Sequence, residues 1–330
     1  MNDIAPGPTS PLADLDSRHR AQLIWRDELG LALVYILLCA YMAFRSPYFL
    51  SAHNFKNILV EASTIGILSV GTTMVIITGG IDLSIGSVLA FSGVLVARLS
   101  HQMPIPAAVT AALAIGAVAG AFNGVMITRV GINPLIATLG SLSILRGLAF
   151  EYSGGLTQSV EGEGFAILGH GAVLGVPLQV VVTLLLFLIT AWVMGWTVFG
   201  RSVYAIGGNA QASRLAGIPV RRLQMIVYTL CGLGAAVGAM FQVSHLGVAD
   251  PKATAEIELS VIAAVILGGT SLNGGKGTLW GTLLGVLIMG TLNNGLHLLD
   301  VGSFRQDVAR GAVLLLAVTI DQVRQRWQGT

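Results

Sequence analysis

The chain has 330 residues, of which 54% are hydrophobic and only 10% charged, with a formal net charge of +2. Soluble domains carry about 25% charged residues, and a mean hydropathy of +0.79 describes more apolar surface than one core of this length can hide from water. The solvent is therefore lipid, a nucleic-acid partner is excluded by the small charge, and two cysteines in apolar runs, Cys39 and Cys231, exclude a disulfide framework or cysteine metal site.

Residues 1–28 are polar and Pro-containing, without the apolar core and cleavage site of a signal peptide. They read as a cytoplasmic segment ahead of a polytopic region, 29–322, and a short cytoplasmic tail, 323–330. Crossing a bilayer takes ~20 apolar residues, and ten runs approach that length. In order they are Leu29–Phe44, Ile58–Thr78, Gly86–Leu99, Ile105–Thr128, Pro134–Phe150, Val173–Val198, Leu223–His245, Ile257–Gly269, Leu279–Leu298 and Val308–Ile320. The expected fold is an all-α integral membrane protein of about ten transmembrane helices. The third, eighth and tenth runs are short, so some helices are expected to be tilted or broken within the membrane, where protein or a cavity must satisfy the backbone. The 42 glycines suit close helix packing in lipid.

With the N-terminus inside, the inner segments hold Arg18, Arg20, Arg26, Arg129, Arg201, Arg214, Arg221, Arg222, Lys276, Arg324 and Arg326. The outer ones hold Arg45, Lys56, Arg98, Lys252 and Arg305. Eleven against five places both termini in the cytoplasm, as an even number of spans requires.

Several polar side chains fall within or between the apolar runs. Asp82 and Ser84 lie between the second and third; Asp82 either caps the third helix, bonding backbone N–H groups near Ser84 and Ile85, or faces a cavity, as ionisable groups at bilayer depth do. Asn123, Asn293 and Asn294 are neutral groups flanked by Gly, suited either to a polyol pathway or to interhelical hydrogen bonding worth about 0.6–2 kcal/mol each. Arg146 and Arg310 read as structural ion pairs, with Glu151 and Asp307 as neighbours.

The loop Phe199–Arg222 contains Asn209, an N-cap, Gly217, suited to a left-handed C′ position, and the stop signal Pro219. A two-turn helix outside the membrane is expected. It either docks its Ala face in a groove on a partner or is a basic loop that only fixes topology. Val75–Gly80 resembles Ala264–Gly269, and Gly116–Gly124 resembles Gly285–Gly295, a partial internal echo.

Enzymatic motifs fail. Gly275-Lys276-Gly277 lacks the first Gly and the following Ser/Thr of a phosphate loop, and Asp82-x-Ser84-x-Gly86 lacks the first Gly of a nucleophile elbow. The six His lack metalloprotease spacing, so no catalytic residue, metal or cofactor is assigned.

Four ordered stretches are Gly79–Gly86 (GGIDLSIG), Ala121–Gly140, Gly200–Ile218 and Leu267–Gly277. Through them, the chain resembles the permease family of ribose-type sugar ABC importers over about Phe49–Ile320. The resemblance implies an inner-membrane subunit that carries a sugar or sugar-like solute by alternating access. Its partners would be a cytoplasmic ABC ATPase, a periplasmic or extracellular sugar-binding protein on the outer loops (Glu161, Glu163, Asp250, Glu256), and a second permease subunit, identical or not. Asn209–Ile218 is similar to the family's coupling helix, so Asn209, Ala212, Arg214, Leu215 and Gly217 are the expected ATPase contacts. The family often has a charge and an Ala where this chain has Gln211 and Ser213. Asp82, Ser84, Asn123, Asn293 and Asn294 are the pathway candidates, with most selectivity expected in the partners. A secondary transporter is the alternative, with Glu61, Asp82 and Glu258 as its only coupling carboxylates.

Overall fold

A computed structural model of the chain describes residues 29–162, 164–252 and 256–328. The segment 1–28 and Glu163 lie outside the described residues. The ten apolar runs fall on ten helices: α1 (Leu29–Arg45), α2 (Ala52–Ile77), α3 (Ile85–Ser100), α4 (Ile105–Val125), α5 (Pro134–Ser153), α7 (Leu178–Trp196), α10 (Val220–Leu246), α11 (Ile257–Leu267), α12 (Leu279–Leu298) and α13 (Ser303–Gln328). The expected boundary at residue 322 falls inside α13. Among the described residues, six helices are long and apolar enough to cross a membrane: α2, α4 with its π-helical extension to Val130, α5, α7, α10 and α12. The protein is multi-pass.

Short elements join them. α6 (Ala166–His170), α8 (Val198–Gly208) and α9 (Ala210–Leu215) are too short to cross a bilayer. Strand β1 (Gln158–Ser159) pairs antiparallel with β4 (Val248–Ala249), and β2 (Ala172–Val173) with β3 (Val176–Pro177). The second hairpin shortens the expected span from Val173: Leu174 and Gly175 both take positive φ, 53° and 84°, and turn the chain before α7 begins.

Helix ends follow local chemistry. Ser51 caps α2 by accepting from the Asn54 N–H, Asn133 caps α5 ahead of Pro134, and Thr278 Oγ1 accepts from the Gly281 N–H at α12. The echo segments build the same C-terminus. Gly79 N–H donates to Ile76 O and Gly80 N–H to Val75 O; Gly269 N–H donates to Ile266 O and Thr270 N–H to Val265 O. Gly79 and Gly269 have φ of 78° and 85°, the left-handed helix ending that glycine serves best.

α2 is the most enclosed long helix, with α12 and α10 next, whereas α4, α5 and α7 show most of their apolar surface outward. Leu184, Leu185, Leu188, Ile189 and Trp192 of α7 are all exposed, as a lipid-facing helix requires. α10 lies along α4 through small residues: a methyl at Gly120 would overlap the Tyr228 carbonyl, and one at Gly232 the Gly116 carbonyl. This is close backbone approach by small residues four apart. Thr73 Oγ1 and Thr282 Oγ1, 3.0 Å apart, join α2 to α12 inside the core.

Candidate functional site

The five pathway candidates separate into two groups at opposite ends of the bundle. Asp82, Ser84 and Asn123 converge, each almost completely buried. Asp82 Oδ1 accepts from the Ser84 N–H at 2.9 Å and the Ser84 hydroxyl at 2.6 Å, and Asn123 Nδ2 donates to Ser84 Oγ at 2.9 Å. The Ser141 hydroxyl of α5 donates to Asn123 Oδ1. One carboxylate thus ties the start of α3 to α4 and α5. Asp82 bonds the Ser84 N–H just ahead of α3 and makes no bond to Ile85. Asp82→Leu strands the Ser84 N–H and hydroxyl donors at about 1–3 kcal/mol each, whereas Asp82→Asn keeps an acceptor. The expected result in thermal unfolding of the purified proteins is a clear loss of Tm for the Leu variant and a small one for Asn.

The other group opens a cavity of about 430 Å³, lined by Asn57, Glu61 and Thr64 of α2, Gln179 of α7, Gln242 and His245 of α10, Ser260 of α11, Asn293 of α12 and Arg310 of α13, among apolar neighbours. The α10 residues lie roughly 35 Å along that helix from its start beside α9, at about 1.5 Å per residue. Asn293 is the one pathway candidate in its lining; the buried Asn294 is its chain neighbour. Sequence reasoning missed Gln179 and Gln242 as lining residues, although both are uncharged polar groups in or beside apolar runs, the signal that found the asparagines. Glu61 had been noted only as a coupling carboxylate and Arg310 only as an ion-pair partner.

Charges here are engaged. Arg310 Nη1 meets Asp307 Oδ1 at 3.2 Å, and the Glu61 carboxyl lies within the field of Arg310. Arg146 of α5 pairs not with Glu151 but with Glu258 in the first turn of α11, at 3.3 Å.

At the end away from the cavity, α9 has the predicted local form. Asn209 Oδ1 accepts from the Ala212 N–H at 2.8 Å, and Gly217 has φ of 82°. The Gly217 N–H donates to Arg214 O and the Ile218 N–H to Ser213 O, a Schellman ending. Ser213 points inward; Ala212, Arg214, Leu215 and Gly217 are exposed, Leu215 by 86%. Ahead of α9, the Gly207 backbone sits against the Ile77 carbonyl and the Gly275 amide, which themselves hydrogen-bond at 2.8 Å. The Tyr204 hydroxyl donates to Gly277 O at 2.9 Å. The root of α9 is thereby fastened to the end of α2 and the α11–α12 loop.

Residues 54–318 match the family model described as branched-chain amino acid transport system / permease component. The chain is 42% identical over 306 residues to the ribose import permease protein of Escherichia coli (strain K12), covering 91% of this chain and 95% of that relative. It is 43% identical over 298 residues to the ribose import permease protein of Bacillus subtilis (strain 168), 89% and 92% of the two chains. To the L-arabinose transport system permease protein of Escherichia coli (strain K12) it is 36% identical over 315 residues, 93% and 94% of the two. No solved structure matches the chain significantly. A multi-pass bundle matched along nine-tenths of its length by import permeases, the chain belongs to the permease-component family of ABC importers, as a membrane subunit that works with a separate ATPase and a solute-binding protein.

Proposed function

We propose that the chain forms the translocation pathway for a pentose or similar neutral monosaccharide, and that the cavity among α2, α7, α10, α11, α12 and α13 is its outward-facing part. The observation that carries this is the lining, which is rich in uncharged hydrogen-bonding groups and whose two charges are already engaged. A zwitterionic amino acid needs a free anion and a free cation, whereas a sugar needs neutral donors and acceptors. The relatives named for ribose and L-arabinose agree with that choice. As an ABC permease the chain draws on ATP through its partner, which sets aside the secondary-transporter alternative. Deleting the gene should abolish uptake of labelled D-ribose or L-arabinose and leave leucine uptake intact; loss of leucine uptake alone would contradict the reading.

In this proposal ten helices span the membrane with both termini in the cytoplasm, and two subunits enclose the pathway. Asn209, Ala212, Arg214, Leu215 and Gly217 form the ATPase contact, and ATP-driven motion of α9 changes the side to which the cavity opens. Asn293 and Asn294 belong to the outer half, and Asp82, Ser84 and Asn123 to the inner closure. The orientation has a direct test. With Cys39 and Cys231 replaced, cysteines at Gly162 and Ser303 should react with an impermeant thiol reagent in intact cells. One at Gln211 should react only after permeabilisation, and its labelling in intact cells would reverse the topology.

A further inference from the structure

We propose that the β2–β3 hairpin is a membrane anchor, which seats Val173, Leu174 and Val176 in the lipid at the cavity-side surface of the bilayer. The inference goes beyond the reading of the cavity and stands whichever solute passes through it. Gly171–Leu178 (GAVLGVPL) carries no polar side chain. Its strands pair Ala172 with Pro177 and Val173 with Val176, and the Leu178 N–H donates to Gly171 O at 2.8 Å, which closes the base. Leu174 and Gly175 are left as a two-residue turn with both φ positive, the place that Asn-Gly and Asp-Gly favour in hairpins. Leu174 thus holds a left-handed conformation that its Cβ opposes. Its side chain is 100% exposed, so no packing within the chain compensates. Val173 and Val176 beside it, and Ile167 of α6, are exposed as well.

Helix length gives the depth. α7 runs 19 residues from Leu178 to the exposed Trp196, about 28 Å at ~1.5 Å per residue, against ~30 Å of hydrocarbon. Exposed Trp marks the headgroup level of a bilayer. With Trp196 at one boundary, Leu178 lies at the other, and the hairpin just ahead of it lies among the headgroups and upper acyl chains. There it extends the apolar face of Leu184, Leu185, Leu188 and Ile189, which meets lipid along α7. A binding protein that comes and goes is a poorer occupant, because interfaces of that kind are about as polar as the rest of a protein surface. The hairpin is also held firmly. Ser244 Oγ of α10 accepts from the Gly169 N–H at 2.8 Å and donates to Phe165 O, so α6, just ahead of the hairpin, is pinned to α10. Gln179 of the cavity lining is the second residue of α7, and the anchor therefore sets the height of that wall.

The test is spin-label accessibility in the permease–ATPase complex, reconstituted in vesicles of phosphatidylethanolamine and phosphatidylglycerol. With Cys39 and Cys231 replaced, nitroxides are placed at Leu174→Cys and, as a second site should that variant fold poorly, at Val176→Cys. Leu188→Cys on the exposed side of α7 and Gly162→Cys in the exposed loop before α6 serve as references for lipid and water. The hairpin labels should be relaxed more by oxygen, which concentrates in lipid, than by a water-soluble nickel chelate, as at Leu188. Leu174→Asn suits the turn better and keeps the hairpin, yet it should raise nickel access at Val176 severalfold by removing the largest apolar contact. Nickel access equal to that at Gly162 would overturn the anchor, and its loss on adding binding protein would give the hairpin to that partner instead. Protection from both reagents would also overturn it, by showing the hairpin covered by a second copy of the chain.

Discussion

Gly207→Ala should lower sugar uptake by about tenfold or more, the size of a typical coupling free energy, while Gly208→Ala transports normally. A methyl at Gly207 would occupy the space of the Ile77 carbonyl oxygen and the Gly275 amide nitrogen, backbone atoms that cannot swing aside, whereas Gly208 has open space around it. Neither residue has an unusual φ, so the pair isolates the contact from helix propensity. Overpacking costs about 1–3 kcal/mol, and here it is relieved by moving α8 away from the α2 end and the α11–α12 loop. That separates the root of α9 from two of the helices that line the cavity. The α9 surface is unchanged, so the ATPase should still co-purify, and ATP hydrolysis should proceed without matching uptake. Wild-type uptake by Gly207→Ala would show that this junction transmits nothing.

Ala212→Trp should abolish both ATPase association and uptake. Ala212 is exposed on α9, and Asn209 and the Gly217 turn hold the short helix rigid at both ends. A partner groove shaped to an alanine face would have to admit an indole; a cost of about 1–3 kcal/mol is a roughly 5- to 150-fold loss of affinity. Gly217→Val forces a branched side chain to positive φ and should weaken association less. Arg214→Ala should weaken it only modestly, because a rim charge acts more on encounter than on residence. None of these changes touches membrane insertion, which immunoblotting of washed membranes checks. Full co-purification of the tagged ATPase with Ala212→Trp would leave α9 as a topological signal only.

The contrast between these sites and the cavity shows how far the sequence reaches. Apolar runs of twenty residues announce themselves, and α2, α4, α10 and α12 appear where their runs lie. The ends of α9 were equally legible, because Asn209 and Gly217 act through bonds to residues at most five positions away. α8 was missed because Arg201, Ser202 and Tyr204 interrupt its apolar character, although Thr197 caps it by accepting from the Gly200 N–H. Val173–Pro177 reads as the start of a span, yet the positive φ values at Leu174 and Gly175 fold it into a hairpin. Glu61, Gln179, Gln242, Asn293 and Arg310 come from five helices, and nothing local to any of them encodes their convergence. The same holds for Ser141, whose bond to Asn123 joins α5 to the Asp82 cluster.

Reconstitution tests the central claim most directly. The permease would be placed in proteoliposomes with its ATPase facing the external medium and the sugar-loaded binding protein enclosed, and export of labelled D-ribose or L-arabinose into the medium measured with and without added ATP. An importer whose α9 meets the ATPase at the face opposite the cavity predicts ATP-dependent release of the sugar on the ATPase side. It also predicts no release when ATP is replaced by a non-hydrolysable analogue. Sugar movement at the same rate without ATP, or ATP-driven movement of leucine but of neither pentose, would contradict the account.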